Sequence, residues 1–336
     1  MNRKPILLIL LLLLLAACGS FEFDEAALEE SIFGEPVSNQ VAVHDEAAHD
    51  HAADDDPAAH DHATHDHEQV AAEPVVVEET AVLQVVLVPS QLVVGQNRMA
   101  VGLLNGNKQM IHDADVQFQY YDLSNPAEPQ LEQAVTAYPV QSPDGLTTLF
   151  AHDRRFSRAG EWGLAVEASL ADGKTAVQRI KFNVDEVGTA VLPGEMAPHI
   201  QTPTLAGVNG DFSLITSAWE PNAAFYQLSL DEALGNGQPT VLLLATPAFC
   251  QTRFCGPSYD IATELEAEYS ESVNFIHVEV YSGLPDPSAN NWELSPVMGA
   301  FGLATEPWVY VMDTAGEVVY RAEGLFTQAE IAAHLR

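Results

Sequence analysis

No lysine or arginine interrupts the chain between Lys4 and Arg98, while eighteen Asp or Glu residues fall between Glu22 and Glu79. A stretch with so much charge of one sign cannot bury enough apolar surface to offset the entropy of ordering it. Residues 18–80 therefore read as a disordered acidic tether, and folded structure has to be built from about residue 81 onward. With 336 residues, the chain has room for about two domains of roughly 150 residues each. Its 13 basic against 48 acidic residues give a formal net charge of −35. A phosphate backbone needs a basic surface, so nucleic acid is excluded as a partner.

The segment ahead of the tether is an export signal. Arg3 and Lys4 form a basic start, and Ile6 to Leu15 form an apolar core of ten residues. A spanning helix needs about 20 apolar residues, so a simple transmembrane anchor does not fit. Leu15-Ala16-Ala17-Cys18 resembles the bacterial lipoprotein signal. That resemblance implies removal of residues 1–17, lipidation of Cys18 and a mature chain held to the membrane in the cell envelope. The alternative is an ordinary signal peptide with an incidental cysteine. Disulfides persist outside the cytoplasm, and a lipidated Cys18 leaves Cys250 and Cys255 as the remaining cysteines.

Inside the tether, His44, His49, His51, His60, His62, His65 and His67 recur in His-Asp-His units. Imidazole with carboxylate suits Cu, Zn or Ni. These seven histidines are candidate ligands of a weak metal-buffering site, with a solvated spacer as the plainer reading.

Residues 81–186 read as an all-β, immunoglobulin-like sandwich. Val116, Phe118 and Tyr120 alternate with Gln117, Gln119 and Tyr121, and Met99, Val101 and Leu103 alternate with smaller residues. Turn signals such as Asn105-Gly106-Asn107 and Pro143-Asp144-Gly145 separate the runs, the pattern of a sandwich of short strands. Ala159-Gly160-Glu161-Trp162 and the alternation after it resemble the late strands of YtkA- or FixH-type sandwich domains. That likeness implies a setting of copper and respiratory oxidases. Met99, Met110 and His112 are a minor copper-site candidate, with core packing as the competing reading. Residues 187–210, rich in Gly and Pro, read as a linker.

From residue 211 the pattern becomes α/β. Thr240 to Ala245 is a buried strand that runs into Cys250-Gln251-Thr252-Arg253-Phe254-Cys255-Gly256-Pro257. Ile261, Leu265 and Tyr269 lie on one helix face beyond it. Val273 to Val280, Trp308 to Met312 and Glu317 to Tyr320 are further strands, and Thr327 with Glu330 forms a capping box for a last helix. In regular helix, residues five apart are separated by about 7.5 Å along the axis, whereas disulfides want Cα atoms roughly 4.4–6.8 Å apart. A Cys250–Cys255 bond therefore requires a loop between the two and a helix that starts near Cys255.

This order, with Thr305-Glu306-Pro307-Trp308 ahead of the final hairpin, resembles the thioredoxin-like superfamily, including its TlpA and Sco-related members. The resemblance implies an α/β thioredoxin-like domain over 211–336 and a cis Pro307 facing the cysteines. It also implies a catalytic group of Cys250, Cys255 and Pro307, and substrate contacts from Glu306, Trp308 and Arg253. The spacing departs from the family pattern, with four residues between the cysteines. On this reading the chain is a membrane-anchored thiol–disulfide oxidoreductase. It would act on thiols or disulfides of exported proteins and need no cofactor for that redox activity. The alternative is a copper-binding metallochaperone for respiratory or envelope metalloproteins, with Cu or Zn as the metal. A third reading is an inert scaffold lipoprotein.

Overall fold

The computed structural model describes residues 82–250 and 252–335. The signal peptide, Cys18 and the tether with its seven histidines lie outside the described residues. Twelve strands form three four-stranded sheets. They are β1 (Leu83–Leu87), β2 (Gly95–Asn105), β3 (Ala114–Asp122), β4 (Gln130–Thr136), β5 (Tyr138–Gln141), β6 (Thr148–Phe156), β7 (Gly160–Leu170) and β8 (Thr175–Val184), followed by β9 (Thr240–Leu244), β10 (Asn274–Val278), β11 (Trp308–Met312) and β12 (Val318–Glu323). The helices are α1 (Leu230–Leu234), α2 (Cys255–Tyr269), α3 (Pro296–Ala300) and α4 (Gln328–Ala332).

The expected α/β thioredoxin-like class is corrected by this inventory: the described chain is mainly β. Only α2 runs beyond five residues. Gly235 follows α1, and α3 is a single stretch opened by Pro296. The last helix, capped by Thr327 and Glu330 as expected, ends at Ala332.

The first eight strands make a β-sandwich of sheets β1-β2-β6-β5 and β4-β3-β7-β8. Val116, Phe118 and Tyr120 of β3 point into its core, as their alternation requires. They meet Met99, Val101 and Leu103 of β2, and Phe156 packs edge-on to Trp162 at 5.1 Å.

The outer face of sheet β1-β2-β6-β5 is also covered. Ala100, Leu149, Ala151 and Val140 share one apolar cluster with Val309, Leu325, Phe326 and Ile331 from the C-terminal region. Two-sided burial explains why Thr148 to Ala151 of β6 are all buried. Polar contacts reinforce this seam. Arg98 of β2 donates from Nε to Oε1 of Glu330 in α4 at 2.6 Å, and Tyr138 and Tyr320 hydroxyls donate to the same oxygen at 3.0 and 3.1 Å.

In the C-terminal sheet the order is β10-β9-β11-β12. β9 and β10 are parallel, while β11 runs antiparallel to both β9 and β12. Strands β9, β10 and β11 are buried throughout, because apolar clusters cover both faces of the sheet. α2 and α4 contribute Ile261, Leu265 and Ile331 on one side. α1 and α3 contribute Leu230, Leu234, Val297 and Met298 on the other. Segment 187–210 follows this sheet: Met196 bridges Glu317, and the Val191 amide donates to the Phe301 carbonyl at 3.1 Å.

Candidate functional site

Beyond β9 the chain leaves the sheet in a loop and re-enters regular structure at Cys255, the first residue of α2. Cys250 and Cys255 form a disulfide with Cα atoms 6.0 Å apart, inside the span such bonds require. The two sulfurs differ in setting. Cys255 is fully buried, whereas Cys250 is half-buried in the loop. The Thr252 hydroxyl lies 3.2 Å from the Cys250 sulfur and is the partner with a proton to donate. Arg253 is exposed.

The Glu306–Pro307 bond is cis, and the Glu306 carboxylate lies against the cysteines. Oε2 of Glu306 is 3.6 Å from the Cys255 sulfur. One ligand atom from each of Cys250, Cys255 and Glu306 lies within 4.8 Å of the others. Two sulfurs and one oxygen at that spacing are a three-donor set for a metal ion once the disulfide is reduced. The Pro307 carbonyl accepts from the Gly324 amide at 2.9 Å, tying this segment to the turn after β12. Trp308 points into the core, with 4% of its surface exposed. Its indole N–H donates to Thr305 Oγ1 at 3.0 Å, and Arg321 covers its ring.

The other candidate ligands are dispersed. Met99 is wholly buried in the sandwich. The Met110 sulfur accepts from the Thr148 amide at 3.1 Å, and the His112 ring contacts the Thr148 hydroxyl at 3.1 Å. His277 has both ring nitrogens engaged, with the Tyr226 hydroxyl at 2.7 Å and the Ala245 carbonyl at 3.0 Å. Burial pushes its pKa down to about 4, so it is neutral at physiological pH. Trp292 is 45% exposed and packs edge-on to Phe249, the neighbour of Cys250, at a ring distance of 6.0 Å.

Two acidic groups bear on the region, and only one was foreseeable. Glu306 is marked by its place beside Pro307. Glu279 lies just beyond β10 and is buried, with Oε2 lacking a hydrogen bond. Its carboxyl accepts from the Ser217 amide, and Ser217 Oγ in turn accepts from the Ala248 amide at 3.1 Å, two residues before Cys250. Burial lifts the Glu279 pKa from 4.5 to about 7, against the opposing pull of its hydrogen bonds with Ser217.

A carboxyl that holds its proton more tightly when folded favours the fold below its unfolded pKa. That advantage is lost as pH rises from 4.5 to about 7, and it stays lost above that range. Glu279→Gln is therefore expected to gain about 2–3 kcal/mol over the native chain at pH 8 and nothing at pH 4. Urea unfolding at the two pH values measures this, and an equal effect at both would refute a buried ionisation.

No known protein family matches the sequence. No curated protein matches it either. Among solved structures, the soluble domain of PmoD from Methylocystis sp. is 16% identical with a TM-score of 0.22, covering 30% of this chain and 90% of that one. CopC from Methylosinus trichosporium OB3b is 17% identical with a TM-score of 0.21, covering 31% and 95%. A copper-bound variant of FetP from uropathogenic Escherichia coli strain F11 is 14% identical with a TM-score of 0.22, covering 35% and 96%.

Proposed function

We propose that this chain is a copper-handling protein of the cell envelope, held to the membrane by lipid on Cys18, that carries Cu(I) at Cys250, Cys255 and Glu306 and passes it to a metalloprotein client. The observation that supports this reading most is the convergence of two cysteine sulfurs and one carboxylate oxygen within 4.8 Å. Thiolates are the soft ligands that select Cu(I), and Glu306 supplies a third donor and a local negative charge. The disulfide is the state that cannot hold the ion. Loading begins with a dithiol reductant, which gives up two electrons and two protons to open the Cys250–Cys255 bond and is itself left as a disulfide. The two thiols then lose their protons as the ion binds. The histidines from His44 to His67 act as a weaker reservoir of the same cargo.

Cu(I) competition titration of the reduced full chain tests this, with thiolate-to-copper absorption as the readout because histidine ligands do not produce it. One Cu(I) per chain with that absorption is expected, and Cys250→Ser should abolish the band while leaving weaker histidine binding. A reduced protein with no such band would overturn the proposal. If the same protein turned over a mixed-disulfide substrate, the pair would be assigned to thiol–disulfide exchange with exported proteins. The unequal exposure of Cys250 and Cys255 suits that second reading.

A further inference from the structure

Between the sandwich and the cysteine site runs a groove of about 570 Å³. One wall lies on the outer face of sheet β1-β2-β6-β5, where Val86 is exposed and Leu104 and Met110 are half-buried beside the buried Gly102. The opposite wall includes Thr252, Phe254 and Glu306. Thr252 and Glu306 are the residues whose oxygens lie 3.2 Å from the Cys250 sulfur and 3.6 Å from the Cys255 sulfur. The groove therefore ends on the side chains that touch both halves of the disulfide. Its lining is mostly apolar, and the only charged residues in it are carboxylates, Glu306 and Glu323. Glu323 is fixed there by the Ser90 amide and hydroxyl at 2.7 and 2.9 Å and by the Thr305 hydroxyl at 2.7 Å.

We infer that this groove is the docking site for the client, and that the client enters it as an extended segment of apolar residues followed by lysine or arginine beside its own sulfur ligand. The inference rests on the copper-handling reading and names the partner chemistry of that site. Charge complementarity selects the occupant: an apolar channel closed by carboxylates, on a chain of net charge −35, favours a cationic apolar segment over an acidic or purely polar one. Glycine at position 102 keeps the floor open. A Cβ there would sit at ordinary contact distance, 3.7 Å from Leu149 and 4.0 Å from Val86, both residues of the groove lining, so a leucine at this buried position takes up space against that lining. Transfer along the groove is ligand exchange. The ion leaves the two thiolates and Glu306 here for sulfur ligands of the client, its oxidation state is unchanged, and the released thiolates take up protons from the client's thiols or, where the client's ligand is a thioether, from water.

The test uses the reduced full chain and a fluorescein-labelled peptide, Gly-Ser-Val-Leu-Val-Lys-Met-Lys, read by anisotropy. Two control peptides replace the lysines by glutamate or the apolar residues by serine. Binding of the first peptide is expected to be at least about tenfold tighter than that of either control. Gly102→Leu, which fills the floor, and Val86→Asp, on a residue already 44% exposed, should each weaken it by about tenfold or more. Both variants should keep the native urea midpoint and Cu(I) affinity. Equal binding of the glutamate peptide, native binding by both variants, or no peptide binding alongside intact Cu(I) binding would each overturn the inference. Self-association of the chain that Val86→Asp abolishes would also overturn it, by making a second copy the occupant. Loss of the copper–thiolate band with peptide binding retained would instead sink the copper reading and leave the groove standing.

Discussion

Glu330→Gln should cost about 3–5 kcal/mol of stability, seen as a lower urea midpoint and a fall in Tm on the order of 10 °C. The carboxylate is the hub of the seam between sandwich and C-terminal sheet. It accepts from Arg98 Nε and Nη2 at 2.6 and 3.3 Å, from the Tyr138 and Tyr320 hydroxyls, and from the Thr327 amide at 2.7 Å. The Arg98 side chain is 4% exposed and that of Glu330 11%. Removing the negative charge leaves a guanidinium buried without its counter-ion, which is far worse than removing both charges. The double variant Arg98→Met with Glu330→Leu is accordingly expected to recover much of the loss.

The pH dependence has a definite sign. Burial alone would raise the Glu330 pKa, but Arg98 and the hydrogen bonds outweigh it and hold the group below the ordinary glutamate value. The stability it contributes is therefore present above the unfolded pKa and is lost as pH falls through the depressed folded one. A Glu330→Gln cost below about 1 kcal/mol at neutral pH would show that the pair is solvated rather than buried.

Gly302→Ala is the second large effect, at about 2–5 kcal/mol. Gly302 follows α3 with φ +67°, and a Cβ there would stand 1.9 Å from the Thr189 carbonyl oxygen. The irregular segment Thr189 to Val191 that crosses it is held on both sides. Thr189 Oγ1 donates to the Gly302 carbonyl at 2.9 Å, and the Val191 amide donates to Phe301. Adding a methyl group forces backbone apart from backbone, where no rotamer can yield. Gly145 is the control: its φ is +71°, yet nothing lies within 4 Å of its Cβ position, so Gly145→Ala should cost only about 1 kcal/mol. Similar losses in the two variants, by urea unfolding, would show that conformational strain rather than close approach governs position 302.

The sandwich strands announce themselves in the sequence because one face of β3 is buried and the other is not, which yields the Val116, Phe118, Tyr120 alternation. The start of α2 at Cys255 follows from cysteine spacing and Pro257. Strand β4 left a fainter mark, since it is an edge strand with none of its residues fully buried and only Gln133 and Val135 turned partly inward. The second buried face of β2 was hidden in Ala100 and Gly102, which read as small spacers between Met99, Val101 and Leu103. Trp308 looked like a rim residue from its position after Pro307, but the pairing of β11 with β9 and β12 turns it inward. The burial of Glu279 left no mark in the sequence, because a single strand cannot reveal what packs against it. The contact of Arg98 with Glu330 spans 232 positions, and no local pattern encodes a pairing at that range.

That long span gives the seam a role in the order of events. Val86 and Glu306 face one groove from widely separated segments, and α4, which closes the seam, follows all twelve described strands in the chain. Contacts between distant segments form late, because closing so long a loop costs entropy before any contact repays it. A chain made N-terminus first would therefore complete its sandwich while the outer face still waits for its cover. The groove exists only after that cover arrives, so a client fitted to it can engage finished molecules alone.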